Sequence, residues 1–265
     1  MDAPLSPEAI AARLPASRRI GREIQVLAET TSTNDLVAKL ARAGAPEGLV
    51  IFAETQTAGR GRMQRKWESA PGEGLWFSVL LRPTWPLADW ARLTTWAGVA
   101  VAWGLEAALP GCHAGIKWPN DIHLGGRKAV GILAESAPGP GGWAVVGIGV
   151  NVNQTAFPEE IRGVATSLRL SAGSQAAPLD RNAVAAALLG QLEALYAILE
   201  RDFTSIVVEA GARSVLLGRA VMVHDPAGPY EAQAEGLDAD GGLRVRLPDG
   251  SVKVICTGEV SVRSL

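Results

Sequence analysis

Cysteine and histidine are scarce in this chain, with two and three residues in 265. Cys112 and Cys256 stand far apart, and neither belongs to a Cys-x-x-Cys pair. That excludes a disulfide framework and a cysteine-based metal module. His113, His123 and His224 are scattered without metal-ligand spacing, so the sequence names no metal ligands. Long hydrophobic runs are missing too. The longest, residues 96–109, is broken by Glu106 and ended by Pro110; it is too short to span a bilayer and reads as a buried helix. Residues 1–22 lack the apolar core of a signal peptide. Nor is there an excess of one charge: the formal net charge is −2, giving no global attraction to nucleic acid or anionic membrane. These absences predict a cytoplasmic protein with neither DNA nor membrane as partner.

What is present is globular. Hydrophobic residues make up 48% of the chain and charged residues 20%, enough for a large domain and a small one. Helical spacing over 32–43 puts Leu36, Val37 and Leu40 on one face. Apolar segments 49–54, 75–81, 116–118, 121–124, 127–134 and 143–152 read as strands, with a hairpin turn at Gly125-Gly126. Residues 93–109 and 182–203 read as helices. From residue 215 the texture changes to short alternating segments (220–223, 230–236, 243–247, 252–256 and 260–263) divided by Asp240-Gly241 and Asp249-Gly250. That pattern predicts an N-terminal tail over 1–22, an α+β domain over 23–214 and a small β-barrel over 215–265. The α+β domain is expected to hold a mixed sheet packed with helices. No regular βαβ alternation is visible, which argues against a doubly wound fold. All eight tryptophans lie between Trp67 and Trp143, as core or as the wall of an apolar pocket.

Four segments carry candidate chemistry, and each has a plain structural alternative. Thr30-Thr31-Ser32-Thr33-Asn34-Asp35 opens a helix: Ser32 with Asp35 is spaced as a capping box, while the same helix start suits a polar ligand head. Ala58-Gly59-Arg60-Gly61-Arg62-Met63-Gln64-Arg65-Lys66 holds four cations and no acid. It is either a solvated basic loop or an anion-binding lid; the glycine spacing is not that of a P-loop. A charge pair at 4 Å is worth about 1 kcal/mol in water but about 4 kcal/mol at an effective dielectric of 20. Such arginines therefore act only by closing and expelling water.

The third segment is Lys117-Trp118-Pro119-Asn120-Asp121 with its hairpin partner Lys128. A two-residue turn pairs His123 with Lys128 and Asp121 with Val130, so Asp121, His123 and Lys128 share a face, with Asp121 and Lys128 as diagonal neighbours roughly 7–8 Å apart. That is either a surface charge pair or a catalytic one. In the fourth segment Gly147, Gly149, Asn151 and Asn153 share one strand face. This is either a flat platform for a heterocycle such as adenine or a site of tight packing.

In order, Ser32-Thr33-Asn34, Gln56-Thr57-Ala58-Gly59-Arg60-Gly61-Arg62, Lys117-Trp118-Pro119-Asn120-Asp121 with Lys128-Ala129-Val130-Gly131-Ile132-Leu133, and Gly147-Ile148-Gly149-Val150-Asn151 resemble the biotin–protein ligase family. The resemblance runs from about Ile24 to the end of the chain. It implies the biotin–lipoate ligase catalytic domain, akin to class II synthetases, followed by an SH3-like barrel. The implied reaction joins biotin and ATP into biotinyl-adenylate, then passes the biotinyl group to a lysine of a biotin carboxyl carrier domain. By the same resemblance Ser32, Thr33, Asn34 and Gln56 hold the biotin head. Arg60, Gly61 and Arg62 meet the carboxylate and phosphate. Lys128 contacts both, Lys117 and Asn120 belong to the nucleotide site, Asn151 meets adenine and Trp67 covers it. Asp121 receives the acceptor lysine. Magnesium is expected with the triphosphate, and a homodimer is compatible with the resemblance.

Two departures stand out. The segment before residue 23 is too short for the winged helix-turn-helix of family members that repress transcription, so no repressor activity is expected. Met63-Gln64 also replaces the Arg-Gly often found in the lid. The rival readings are a lipoate–protein ligase and a non-enzymatic nucleic-acid-binding module.

Overall fold

The computed structural model describes residues 4–262 except Pro140, Ser174 and Pro226, and leaves the side chain of Gln64 undescribed. The elements are α1 (Pro7–Ala11), β1 (Glu23–Thr30), α2 (Thr33–Arg42), β2 (Leu49–Gln56), β3 (Gly74–Leu81), α3 (Arg92–Ala108), β4 (Ala114–Lys117), β5 (Asp121–Leu124), β6 (Arg127–Ala137), β7 (Trp143–Asn151), α4 (Leu168–Ala172), α5 (Arg181–Leu199), α6 (Phe203–Ala212), β8 (Ala220–His224), β9 (Tyr230–Leu237), β10 (Leu243–Arg246), β11 (Val252–Ile255) and β12 (Glu259–Val262). The first seven strands form one mixed sheet in the order β1-β2-β3-β7-β6-β5-β4, and the last five an antiparallel sheet in the order β11-β10-β9-β8-β12.

The sheet is mixed because β1 and β2 run parallel, joined through α2, while its other pairings are antiparallel. This single βαβ unit escaped the sequence reading. Half-exposed β1 alternates polar and apolar residues too weakly to stand out, so the unit lacked its first strand. The unit places the N-terminus of α2 at the carboxyl ends of a parallel pair, the place where open sheets of this kind hold ligands.

On one face of the large sheet α3 and α5 close a core containing Phe52, Phe77, Trp96, Leu105, Leu188 and Leu192. By length and composition α5 is apolar enough to cross a membrane, although it lies outside the longest apolar run of the sequence. Its Val184, Leu188, Leu189, Leu192 and Leu195 lie inside this core instead. The helix expected over 182–203 is α5, which ends at Leu199, and a further helix that the sequence reading missed, α6, begins at Phe203. Asp202 caps α6 by accepting from Ser205 N–H at 3.2 Å.

The expected N-terminal tail also differs. Leu5, Ile10 and Ile20 are buried in the main core, and Leu5 N–H donates to Glu54 Oε1 at 3.1 Å. Their irregular spacing had hidden them. The smaller sheet has its own core, including Val221, Val223, Ala234, Leu243 and Val245. Trp118 joins that core and donates from Nε1 to Gly241 O at 3.0 Å, while Arg92 reaches Asp240 at 2.7 Å.

Candidate active site

The turn from β1 into α2 begins the site. Ser32 sits at the N-cap in extended backbone, but its hydroxyl makes no capping bond. The capping box expected of Ser32 and Asp35 is therefore not formed. Gln56, at the end of β2, caps instead: its Oε1 accepts from Thr33 N–H at 2.9 Å and lies 3.2 Å from the Thr33 hydroxyl. Ser32, Thr33 and Asn34 are all buried. A buried helix-start hydroxyl that makes no capping bond among the described residues can meet a ligand.

Asn34 is fully engaged with the protein. Its Nδ2 donates to Glu135 at 2.7 Å and to Leu133 O at 3.2 Å, and its Oδ1 accepts from Ser78 Oγ at 2.6 Å. Gly147 is bare because of it: a Cβ there would lie 2.1 Å from Asn34 Oδ1. Of the two readings of the glycine strand, tight packing holds at Gly147.

The basic loop is folded over the sheet. Gly61 N–H donates to Arg65 O at 2.7 Å and Trp67 N–H to Gly59 O at 3.0 Å. Ser69 Oγ pins the base of the loop, donating to Gln56 O at 2.9 Å and accepting from Gln56 N–H at 3.0 Å. At the tip Met63 takes φ 55°, ψ 35°, the only non-glycine in the left-handed region among the described residues. Three of the four cations are already paired. Arg60 meets Asp35 and Glu135, Arg65 holds Glu259 of β12 through two bonds of 2.9 and 2.5 Å, and Lys66 meets Glu68. Arg65 thereby draws the Glu259 carboxyl below its ordinary pKa, against the opposing effect of burial. Arg62 has no carboxylate partner among the described residues; Nη1 donates only to Asn120 Oδ1, at 3.3 Å. Burial lowers its pKa, against the pull of Asp121 and Glu259.

The hairpin brings Lys128 Nζ to 2.6 Å from Asp121 Oδ1. His123 pairs with Lys128 as expected, but Asp121 pairs with Gly131, not Val130. The cause is a bulge: Ala129 is the extra residue on β6. It swaps the faces beyond it, burying Val130 in the core and turning Gly131 toward the site beside Lys128. Gly131 lies opposite Gly149 of β7 in register. A Cβ on either would meet the Trp67 indole, at 2.7 Å from Gly131 and 2.6 Å from Gly149. Tight packing thus holds at Gly149 as well, with the Trp67 indole seated on the two glycines and Lys128 Nζ 5.4 Å from its centroid. The Trp67 Nε1 is buried without a hydrogen-bond partner among the described residues. Asn151, at the end of β7, donates to Thr166 O at 3.0 Å.

One cavity of about 780 Å³ is lined by Ser32, Thr33, Asn34, Gln56, Arg60, Gly61, Arg62, Trp67, Lys117, Asn120, Asp121, Lys128 and Asn151. Every site residue named from the sequence therefore lines the same space. The sequence reading missed Ser78, which positions Asn34, and Glu135 and Glu259, which hold the loop. Glu135 was within reach of it, since Gly131, Leu133 and Glu135 alternate onto one strand face. Glu259 was not, because nothing local links β12 to a loop almost two hundred residues earlier. No cluster of three or more histidine, cysteine or acidic side chains able to hold a metal occurs among the described residues.

The arrangement joins a neutral polar pocket at a helix start, a cationic centre of Arg62, Lys117 and Lys128, and an aromatic-covered glycine platform. That is the make-up of a site for activating a small carboxylic acid with a nucleotide. The comparisons name the family. Residues 26–153 match the biotin/lipoate A/B protein ligase family, and residues 216–263 match the biotin protein ligase C-terminal domain. The chain is 38% identical over 229 residues to the bifunctional ligase/repressor BirA of Bacillus subtilis, covering 84% of this chain and 69% of that protein. It is 38% identical over 244 residues to the biotin–[acetyl-CoA-carboxylase] ligase of Mycobacterium tuberculosis, covering 90% and 88%. The fold superposes on a biotin protein ligase from Aquifex aeolicus solved with biotin and ATP, at a TM-score of 0.77 and 32% identity, over 91% of this chain and 99% of that one. The chain belongs to the biotin protein ligase family.

Proposed function

We infer that this protein adenylates biotin with ATP and transfers the biotinyl group to a lysine of a biotin carboxyl carrier domain of a carboxylase. The observation that carries this reading is the convergence of all four sequence segments on one cavity, where Arg62, Lys117 and Lys128 line the same space as Ser32, Thr33, Gln56 and Trp67.

In the first step a biotin carboxylate oxygen attacks the α-phosphorus and pyrophosphate leaves. Negative charge grows on the phosphoryl oxygens, and Lys128, Arg62 and Lys117 stabilise it in a site the loop shields from water. Ser32, Thr33 and Gln56 offer the neutral donors and acceptors for the biotin head. Asn34 shapes that pocket, since its amide is spent on Ser78, Leu133 and Glu135. Asn120 holds Arg62, Gly61 lets the loop approach, and Trp67 and Asn151 contribute the adenine site. In the second step the carrier lysine nitrogen attacks the acyl carbon, AMP leaves and Asp121 takes the amine proton. No group of three or more acidic, histidine or cysteine side chains among the described residues would hold magnesium, which would enter with the triphosphate and supply charge neutralisation there.

Incubation with biotin, ATP and a carrier domain, followed by mass measurement of the carrier, tests the proposal; an unmodified carrier overturns it. A parallel reaction with lipoate addresses the nearest rival. The pairing of Arg60, Arg65 and Lys66 with acids leaves the loop little charge for nucleic acid, which supports a ligase working without DNA. Sedimentation of the purified chain decides the homodimer.

A further inference from the structure

We propose that Arg60 is the latch of the loop and that Asp35 and Glu135 are its seat, leaving Arg62 as the loop arginine that answers to the reacting anion. This rests on the ligase reading above and reassigns one residue within it.

Arg60 Nη2 is paired with Asp35 Oδ1 in the first turn of α2 and lies 3.5 Å from Glu135 Oε1 on β6. Two different elements, α2 and β6, thus present carboxylates to one guanidinium. The Arg60 Nε is buried without a hydrogen-bond partner among the described residues, so the side chain is drawn into this position at some cost to its own hydrogen bonding. Glu135 has a second duty: its other oxygen accepts from Asn34 Nδ2 at 2.7 Å. That carboxylate therefore ties the floor of the head pocket to the loop above it. A guanidinium already flanked by two acids gains little from a phosphate, because the acids repel the incoming charge. Arg62 pairs with no carboxylate among the described residues and feels Asp121 and Glu259 only from a distance, so its penalty is smaller. The seat fixes where the loop closes, over the head end, before any nucleotide charge is present.

The two duties of Glu135 separate by substitution. Glu135→Gln keeps an acceptor for Asn34 but removes the charge that faces Arg60; Glu135→Ala removes both. The latch predicts that adenylate escapes about fivefold faster from Glu135→Gln, from Asp35→Asn and from Arg60→Ala, the factor that about 1 kcal/mol represents. It predicts that the KM for biotin rises only in Glu135→Ala. Combining Glu135→Gln with Arg60→Ala should add nothing further to escape, because the partner is already gone. In the free protein, trypsin should cut the 60–66 loop faster in the same three single variants. Escape and cleavage at wild-type rates in Glu135→Gln and Asp35→Asn would overturn the latch, as would additive effects with Arg60→Ala. Trypsin cleavage needs no ligand, so it judges the latch even if the wild-type chain forms no adenylate, an outcome that defeats the ligase reading instead.

Discussion

Asp121→Asn should divide the reaction into its two halves. Asp121 pairs with Lys128 across 2.6 Å, with the two side chains 20% and 33% exposed. The bare Coulomb attraction at that separation is about 6 kcal/mol at an effective dielectric of 20. Desolvation, ordering of the lysine and solvent screening reduce a partly exposed pair to about 1 kcal/mol net. A phosphoryl anion approaching Lys128 must share it with Asp121 or displace it. The neutral amide removes that competition, so adenylate and pyrophosphate should be held up to about fivefold more tightly, and adenylate formation should persist. Transfer behaves oppositely. The incoming lysine loses the carboxylate that orients it and takes its proton, a contribution of about 10²-fold or more. Biotin-dependent pyrophosphate release measures the first half. Single-turnover transfer from preformed adenylate to the carrier, read by mass, measures the second. If both halves fall together, Asp121 is serving the fold rather than the acceptor amine; if neither falls, its assigned role is wrong.

Four further substitutions test other parts of the reasoning. Lys128→Ala should stay folded but lose about 10³-fold in adenylate formation, as expected for about 4 kcal/mol of charge stabilisation at the reacting phosphate; normal pyrophosphate release by this variant contradicts the assignment. Arg62→Gly should let adenylate leak and label lysines on bystander proteins, and adenylate retained as in the wild type argues against the loop as a lid. Met63→Gly should raise stability by about 1 kcal/mol by relieving left-handed backbone at the loop tip, seen as a higher denaturant midpoint. Glu54→Ala should cost about 3 kcal/mol in urea titrations, because it strands the buried Arg181 guanidinium.

The same Glu54–Arg181 pair predicts a pH dependence. Burial alone would raise the Glu54 carboxyl, but the bonds from Arg181 and from backbone N–H groups outweigh it and leave the pKa below the ordinary 4.5. A depressed carboxylate pKa contributes stability that is present above the unfolded value and is lost as the pH falls through the folded one. The wild type should therefore weaken progressively below about pH 4.5, and Glu54→Ala should show a shallower acid slope there.

The sequence made the segments legible but not their depth. Strong periodicity located β3, β5, β7, α3 and most of the small sheet within a few residues, because apolar residues there alternate or cluster without interruption. The half-exposed β1 and the short α1 and α4 carry too few core residues to show a period. The hairpin register was missed by one residue because a bulge leaves no mark in composition; Ala129 differs in no obvious way from its neighbours. Residue types with narrow chemistry, such as Lys128, Arg62 and Gln56, could be placed from motif order alone. Long-range pairs could not: Arg65 with Glu259 and Asn34 with Glu135 exist only once the chain has folded.

Those long-range pairs decide what the basic loop is for. Four cations in nine residues suggest a cradle for phosphate, yet three of them are spent on acids from α2, β6, β12 and the loop itself. Exposed pairs of this kind contribute little each, on the order of 0–1 kcal/mol, so they hold the loop without locking it. The remaining arginine, Arg62, is half-buried, and its only hydrogen bond among the described side chains is the long one to Asn120. A partly desolvated charge without a partner gains the most when an anion arrives, since its hydration has already been given up. The loop's charge is thus divided. Arg60, Arg65 and Lys66 set where it lies, and Arg62 makes closure depend on the ligand. Neutralising any one of the first three should change how fast adenylate leaves but not how fast it forms, whereas neutralising Arg62 should change both.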